Sequence, residues 1–282
     1  MRVIHRVTLV DEPERRSMLA SLGVRFGTPE SPLVRVLWFD IEEADPAWGQ
    51  LRTIIPKWNI EDGCNPANLG MVHAEFSKRE LEAAPFLQVF AWLNDYPQPS
   101  DDCGYRKLTY DLANYCSTCG IGKTQIAPFR LKSEPKWGKR RIMQLNWVFD
   151  EFFVHPEVWE QLFRPVGINC IPVLEHNTGK PLQTVVQLQI DEVATSALSM
   201  ADQPSEMCSI CARKKFVPIT GKFFPPFTSK QSGNLFKTQE CFGSGASAWN
   251  ATVASSSVYR AVQGLKLSSM TFVPMSASDS TD

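Results

Sequence analysis

Two cysteine pairs of equal spacing, Cys116-Ser-Thr-Cys119-Gly120 and Cys208-Ser-Ile-Cys211, carry the densest chemistry in the chain. A Cys-x-x-Cys turn aims two thiolates at one point, and two such turns supply the four sulfurs of a closed tetrahedral zinc site. Gly120 stands where a turn of this kind needs a left-handed residue. Apolar runs, 126–129 and 216–219, follow the two pairs as strands leaving a zinc ribbon would. One pair alone would fit a redox dithiol or ordinary reduced thiols as well. Two of equal spacing favour a shared ion, so the expected metal ligands are Cys116, Cys119, Cys208 and Cys211, with Zn2+ as a structural cofactor. Cys64, Cys103, Cys170 and Cys241 have no ligand spacing, and Cys170, inside the apolar run 168–173, reads as a buried core thiol.

Other chemistry is sparse. A nucleophile needs a base and an orienting group beside it, and the four histidines, His5, His73, His155 and His176, have no such neighbours in sequence. Gly243-Ser-Gly245 lacks the Gly-Lys-Ser/Thr ending and the preceding apolar strand of a phosphate loop. No catalytic constellation emerges, and the expectation is a protein that is not an enzyme.

The elements that would position the cysteines read as α+β: an N-terminal α+β domain followed by a zinc-ribbon-clipped pair of similar strand–helix–strand units. Residues 2–10 alternate as a strand, and residues 12–22 read as a helix between Pro13 and Gly23. Residues 33–41 are a buried strand, 72–76 another, and Ser77 with Glu80 forms a capping box for a helix over 78–84. The stretch Trp48 to Trp58 has no assignable periodicity, and 86–92 fits strand or helix. Pro97-Gln-Pro-Ser-Asp-Asp102 is the best linker, dividing a domain at 1–100 from one at 105–275 that carries an inserted α+β unit at about 120–207. Residues 171–175 and 183–190 read as a hairpin, and the tail 276–282 as disordered.

A faint repeat runs through the second half. Residues 153–162, followed by 168–173, echo residues 253–262, followed by 270–275: a strand, a polar helix start, a short helix and a closing strand near a proline. Val158, Trp159, Leu162 and Phe163 share one helix face, and Val258, Tyr259 and Val262 the other.

The chain has 282 residues, 43% hydrophobic and 21% charged, enough for a full core. No apolar run approaches a membrane span, and the expected address is a bacterial cytoplasm, where reduced thiols hold zinc. Residues 1–115 carry 12 basic against 17 acidic side chains, and residues 116–282 carry 17 against 13. The basic excess clusters in Lys136 to Arg141 and Arg213 to Lys215, beside the cysteines, which opens nucleic-acid binding as an alternative function.

A Cys-x-x-Cys-Gly turn, a spacer with a strand–helix–strand unit and a second Cys-x-x-Cys resemble the double-CxxCG proteins of myxobacteria, over about residues 105–275. Some of that family are immunity proteins that neutralise a toxin. The resemblance implies zinc ligation at Cys116, Cys119, Cys208 and Cys211, and a protein, toxin-like partner; Ala212 stands where the family pattern has glycine. The expected function is a zinc-stabilised protein-binding module. Two aromatic-bearing stretches are its candidate surfaces: Trp38 to Trp58, with Asp40, Glu42, Glu43 and Asp45, and the loop Phe223 to Phe227.

Overall fold

The computed structural model describes residues 1–29, 35–63, 70–91, 95–267 and 269–277. Helices and strands mix throughout. The chain forms two compact units: Met1–Ser77 with Ile219–Phe223, and Lys78–Pro218 with Phe224–Asp282. The division therefore falls at Ser77 and not in the Pro97–Asp102 stretch, where the Gln98 N–H instead donates to the Arg130 carbonyl within the second unit.

In the first unit, β1 (Arg2–Val10) lies between β2 (Val36–Glu42) and β3 (Gly70–Glu75), antiparallel to both. Helices α1 (Pro13–Ser21) and α2 (Pro46–Glu61) contribute Leu19, Leu51 and Ile55 to a core with Val7, Leu9, Leu37 and Phe39. The unassigned Trp48–Trp58 stretch is thus helical. Asp45 caps it, accepting from Ala47 N at 2.8 Å, and Pro46 starts the first turn without losing a needed N–H. The Arg15 guanidinium grips the Asp62 carboxylate in a fork of 2.6 and 2.8 Å, tying α1 to the end of α2. Ile219–Phe223 completes the unit from far along the chain: the Phe223 ring lies 5.0 Å from that of Phe76, and a Cβ on Gly221 would stand 2.5 Å from Val72 Cγ1.

The acidic surface expected here is engaged within the unit. Asp40 accepts from Arg6 at 2.8 and 2.7 Å, Glu42 from Arg2 at 2.7 Å, and Glu43 lies 3.6 Å from His5. Trp38 is half-exposed beneath the Arg6 guanidinium.

The second unit opens with α3 (Lys78–Ala83) and β4 (Phe86–Ala91), followed by the short helix α4 (Tyr105–Thr109). Its first sheet runs β7 (Arg130–Leu131), β10 (Asn169–Glu175), β11 (Pro181–Gln189), β9 (Val148–Val154), β8 (Ile142–Leu145). Its second runs β12 (Ser205–Met207), β13 (Lys214–Phe216), β14 (Leu235–Phe242), β15 (Trp249–Ser255), β4, β16 (Met270–Pro274). Each contains the same device. In the first, the hairpin β8–β9 leads through a helix to β10, and the antiparallel strand β11 separates β9 from β10. In the second, β14–β15 leads through α6 (Ser256–Gly264) to β16, and β4 separates β15 from β16. The central strand comes from different places: β11 follows its unit through a hairpin, while β4 arrives from more than 150 residues earlier.

The repeat read from sequence is therefore structural. Residues 151–158 and 251–258 have the same order of buried, half-buried and exposed positions. Val158, Leu162 and Phe163 share one apolar cluster with Val258, Tyr259 and Val262. The helices differ in form: the first is a single turn, α5 (Pro156–Val158), continued by a π-helical turn Trp159–Phe163 and a 3-10 turn Arg164–Val166, whereas α6 is regular. Burying one such aliphatic side chain stabilises by about 1.5–3 kcal/mol, so the shared cluster contributes to joining the two copies.

Three readings need correction. The Phe223–Phe227 loop is not a surface: Phe224 is fully buried, and Phe227 packs edge-on to Phe86. Cys170, on β10, is only half-buried. Of the tail, Ser276 N donates to the Phe224 carbonyl at 2.9 Å, and residues 278–282 lie outside the described residues, as does Cys64.

Candidate metal centre

Each cysteine pair sits at the tip of a small hairpin in the second unit. β5 (Tyr110–Asp111) pairs with β6 (Thr124–Gln125) around Cys116 and Cys119, and β12 pairs with β13 around Cys208 and Cys211. The strands are shorter than the apolar runs implied; residues 126–129 follow β6 without forming a strand.

The two turns are built alike. Gly120 N donates to Cys116 O at 2.8 Å, and Cys116 N donates to Ile121 O at 2.9 Å. In the second turn Ala212 N donates to Cys208 O, and Cys208 N to Arg213 O, both at 3.0 Å. Closing such a turn puts the residue after the second cysteine in the left-handed region: Gly120 has φ +81°, Ala212 φ +55°. Glycine is required at 120, where a Cβ would meet Ala246 O at 2.5 Å, whereas Ala212 adopts the same conformation with strain of about 1 kcal/mol. The missing glycine thus leaves the turn intact.

The four Sγ atoms lie within 4.8 Å of one another, with Cys116–Cys208 at 3.8 Å and Cys119–Cys211 at 3.6 Å. Thiolates bound at about 2.3 Å to a tetrahedral ion stand about 3.8 Å apart, so the donor set and spacing fit a four-sulfur metal site. The sulfurs differ in acidity. The backbone N–H of Arg213 lowers the Cys211 thiol to about 6, burial pushes Cys119 up to about 12, and the Cys119 backbone lowers Cys116. Sulfurs this close carry several negative charges together only around a cation.

Basic side chains brace the turns. The Arg213 guanidinium donates to Cys211 Sγ at 3.4 Å and to Asn114 O at 2.6 Å, joining the second turn to the approach of the first. Lys215 is buried, donating to the carbonyls of Cys119 and Gly245. Lys214 lies 4.6 Å from the Phe216 ring centroid. Around this hairpin Ile210 is 74% and Met207 65% exposed.

His5 and His155 are packed residues, whereas His73, on β3, is exposed. His5 stacks on Trp48 at 3.9 Å, and His155 lies edge-on to Trp137 and 3.5 Å from Glu157. Sequence reasoning missed a polar network on β9. Glu151, buried, accepts from Lys237 at 2.5 Å and from Gln187 at 3.0 Å, and the Gln187 and Gln125 amides bond each other at 2.7 and 2.9 Å. Its signal was an acidic pair, Asp150-Glu151, inside the otherwise apolar strand Val148–Val154.

Compared with known proteins, the chain matches no family model, no curated protein and no solved structure. Among the described residues no helix is long and apolar enough to cross a membrane.

Proposed function

We propose that this chain is a zinc-stabilised protein-binding module that acts by occupying a partner, as immunity proteins occupy a toxin. The observation that carries the reading is the closed four-sulfur cluster. Four thiolates around one zinc leave no coordination position for substrate, so the ion contributes folding energy and does not activate water. Zinc joins two hairpins some 90 residues apart in sequence and so fixes the second copy of the repeat relative to the first. Ile210 and Met207, apolar and exposed beside that rigid point, suit a protein interface. The nucleic-acid alternative draws less support, because Arg213 and Lys215, two of the three basic residues in its second patch, are engaged in bracing the turns.

The test has two parts. Purified protein is expected to hold about one zinc per chain by elemental analysis, falling to near none in Cys208→Ser; unchanged zinc in that variant sinks the shared site. Co-expression with the adjacent gene product is expected to relieve its toxicity and yield a complex weakened by Ile210→Asp. A neighbour that is harmless alone and does not co-purify sinks the immunity-like reading.

A further inference from the structure

The network on β9 opens into a cleft of about 520 Å3 in the second unit, whose lining includes none of the four metal-site cysteines. That volume is in the range of small-molecule sites. Two buried carboxylates, Asp150 and Glu151, line it, and the half-buried Lys237 ammonium beside them is bonded to Glu151. Burial works against the Lys237 charge, but the fields of Glu151 and then Asp150 outweigh it and raise its pKa, which keeps it a cation. Asp150 is 8% exposed, and its Oδ1, fully buried, has no hydrogen-bond partner among the described residues. A carboxylate oxygen removed from water and left without a donor costs several kcal/mol unless something supplies one.

The neighbouring groups do not. The amides of Gln125 and Gln187 satisfy each other, and the Asn250 amide donates to the Thr238 carbonyl at 3.0 Å. Lys123, on the same wall, places its Nζ over the Tyr110 ring, 5.0 Å from the centroid. The Tyr105 and Tyr110 hydroxyls, buried within the field of Asp150, make no bond to it either, so no described group donates to Asp150 Oδ1 and a donor from outside can complete it.

We propose that the cleft binds an aliphatic cation, an ammonium or guanidinium on an apolar stem, with the charged end on Asp150. Ile126, Pro128, Ile171 and Pro172 supply an apolar wall for the stem. A bare metal ion has no cage here: among the described residues the only cluster of three or more metal-type ligands is the cysteine quartet. The inference is independent of the protein-binding reading, because the cation can be a free small molecule or a lysine or arginine side chain of another chain.

Calorimetric titration of the whole protein distinguishes the outcomes. Pentylamine, agmatine and doubly blocked arginine are the probes, and pentanol is the neutral match to pentylamine. The expected result is saturable one-to-one binding of a cationic probe, weakened about tenfold or more when pentanol replaces pentylamine or when Asp150→Asn replaces the wild type. Tighter binding of agmatine than of blocked arginine assigns the cleft to a free small molecule; the reverse assigns it to a partner's side chain. No saturable binding of any cation, equal binding of pentanol, or binding indifferent to a folded Asp150→Asn overturns the proposal. Should that variant fail to fold, the pentylamine–pentanol comparison on the wild type decides alone.

Discussion

Residues 151–158 and 251–258 follow one burial pattern, yet the first stretch is entered through Asp150-Glu151 and the second through Asn250-Ala251. The central strands diverge in parallel. Gln187 faces Phe153 and Gln88 faces Val253, both buried, but Gln187 is bonded to Glu151 and Gln125 while Gln88 Oε1 has no partner among the described residues. Equivalent positions thus carry hydrogen-bonded acid and amide side chains in the first copy and not in the second, although Lys237, on β14 of the second copy, supplies the cation. A duplicated scaffold keeps its burial pattern because packing demands it; the polar positions are where the copies are free to differ.

The largest effect should come from removing a central strand. A chain starting at Gln98 loses β4 and with it the pairing of β15 to β16, along with the fully buried Leu87. It is expected to show no cooperative unfolding transition, since the loss rivals the ~5–15 kcal/mol of a whole domain. A chain starting at Lys78 should retain one in urea melts monitored by circular dichroism. Equal behaviour of the two would break the equivalence of β4 and β11.

Converting the first copy towards the second is the next test. Glu151→Ala removes the carboxylate bonded to the Lys237 ammonium and should lower unfolding free energy by about 3–5 kcal/mol in urea titration. Glu151→Ala combined with Lys237→Met should recover most of it, because the desolvated charge is gone. A double variant as unstable as the single would show that the pair is not the cause.

Smaller is the contrast between the two central glutamines. Gln187→Leu strands the Gln125 amide and should cost about 1–3 kcal/mol. Gln88→Leu removes an amide oxygen that has no partner and should be neutral or slightly stabilising. Equal losses would mean the copies are alike where the structure makes them differ.

The two cysteine turns permit the finest comparison. Ala212→Gly should raise stability by about 0.5–1 kcal/mol by relieving the left-handed strain, without change in metal content. A loss instead would mean that the alanine conformation carries no strain.

Much of this was legible in the chain. The cysteine turns are local in sequence, so spacing alone marks them. The two helix faces, Val158 with Leu162 and Val258 with Val262, follow from helical period, and α1 from Pro13 and Gly23. What escaped depends on distant pairing. The apolar run at 86–92 fits strand or helix by itself, and nothing nearby says that its residues 86–91 pair with residues 253–255 and 270–274. The Asp150-Glu151 pair carries no sign of its partner in sequence, because Lys237 lies 86 residues away. The aromatic loop at 223–227 reads as surface from its prolines, yet its rings fill interior space.

The first unit draws its last five residues, Ile219–Phe223, from beyond both cysteine turns, where Gly221 packs on Val72 and Phe223 on Phe76. This has a consequence for inheritance. A block of gene copied elsewhere carries only what is contiguous, so residues 1–77 transplanted alone would arrive without the segment that covers Val72 and Phe76. A single crossover cannot exchange this unit intact; lineages of this chain are expected to vary it by substitution, residue by residue, rather than by shuffling.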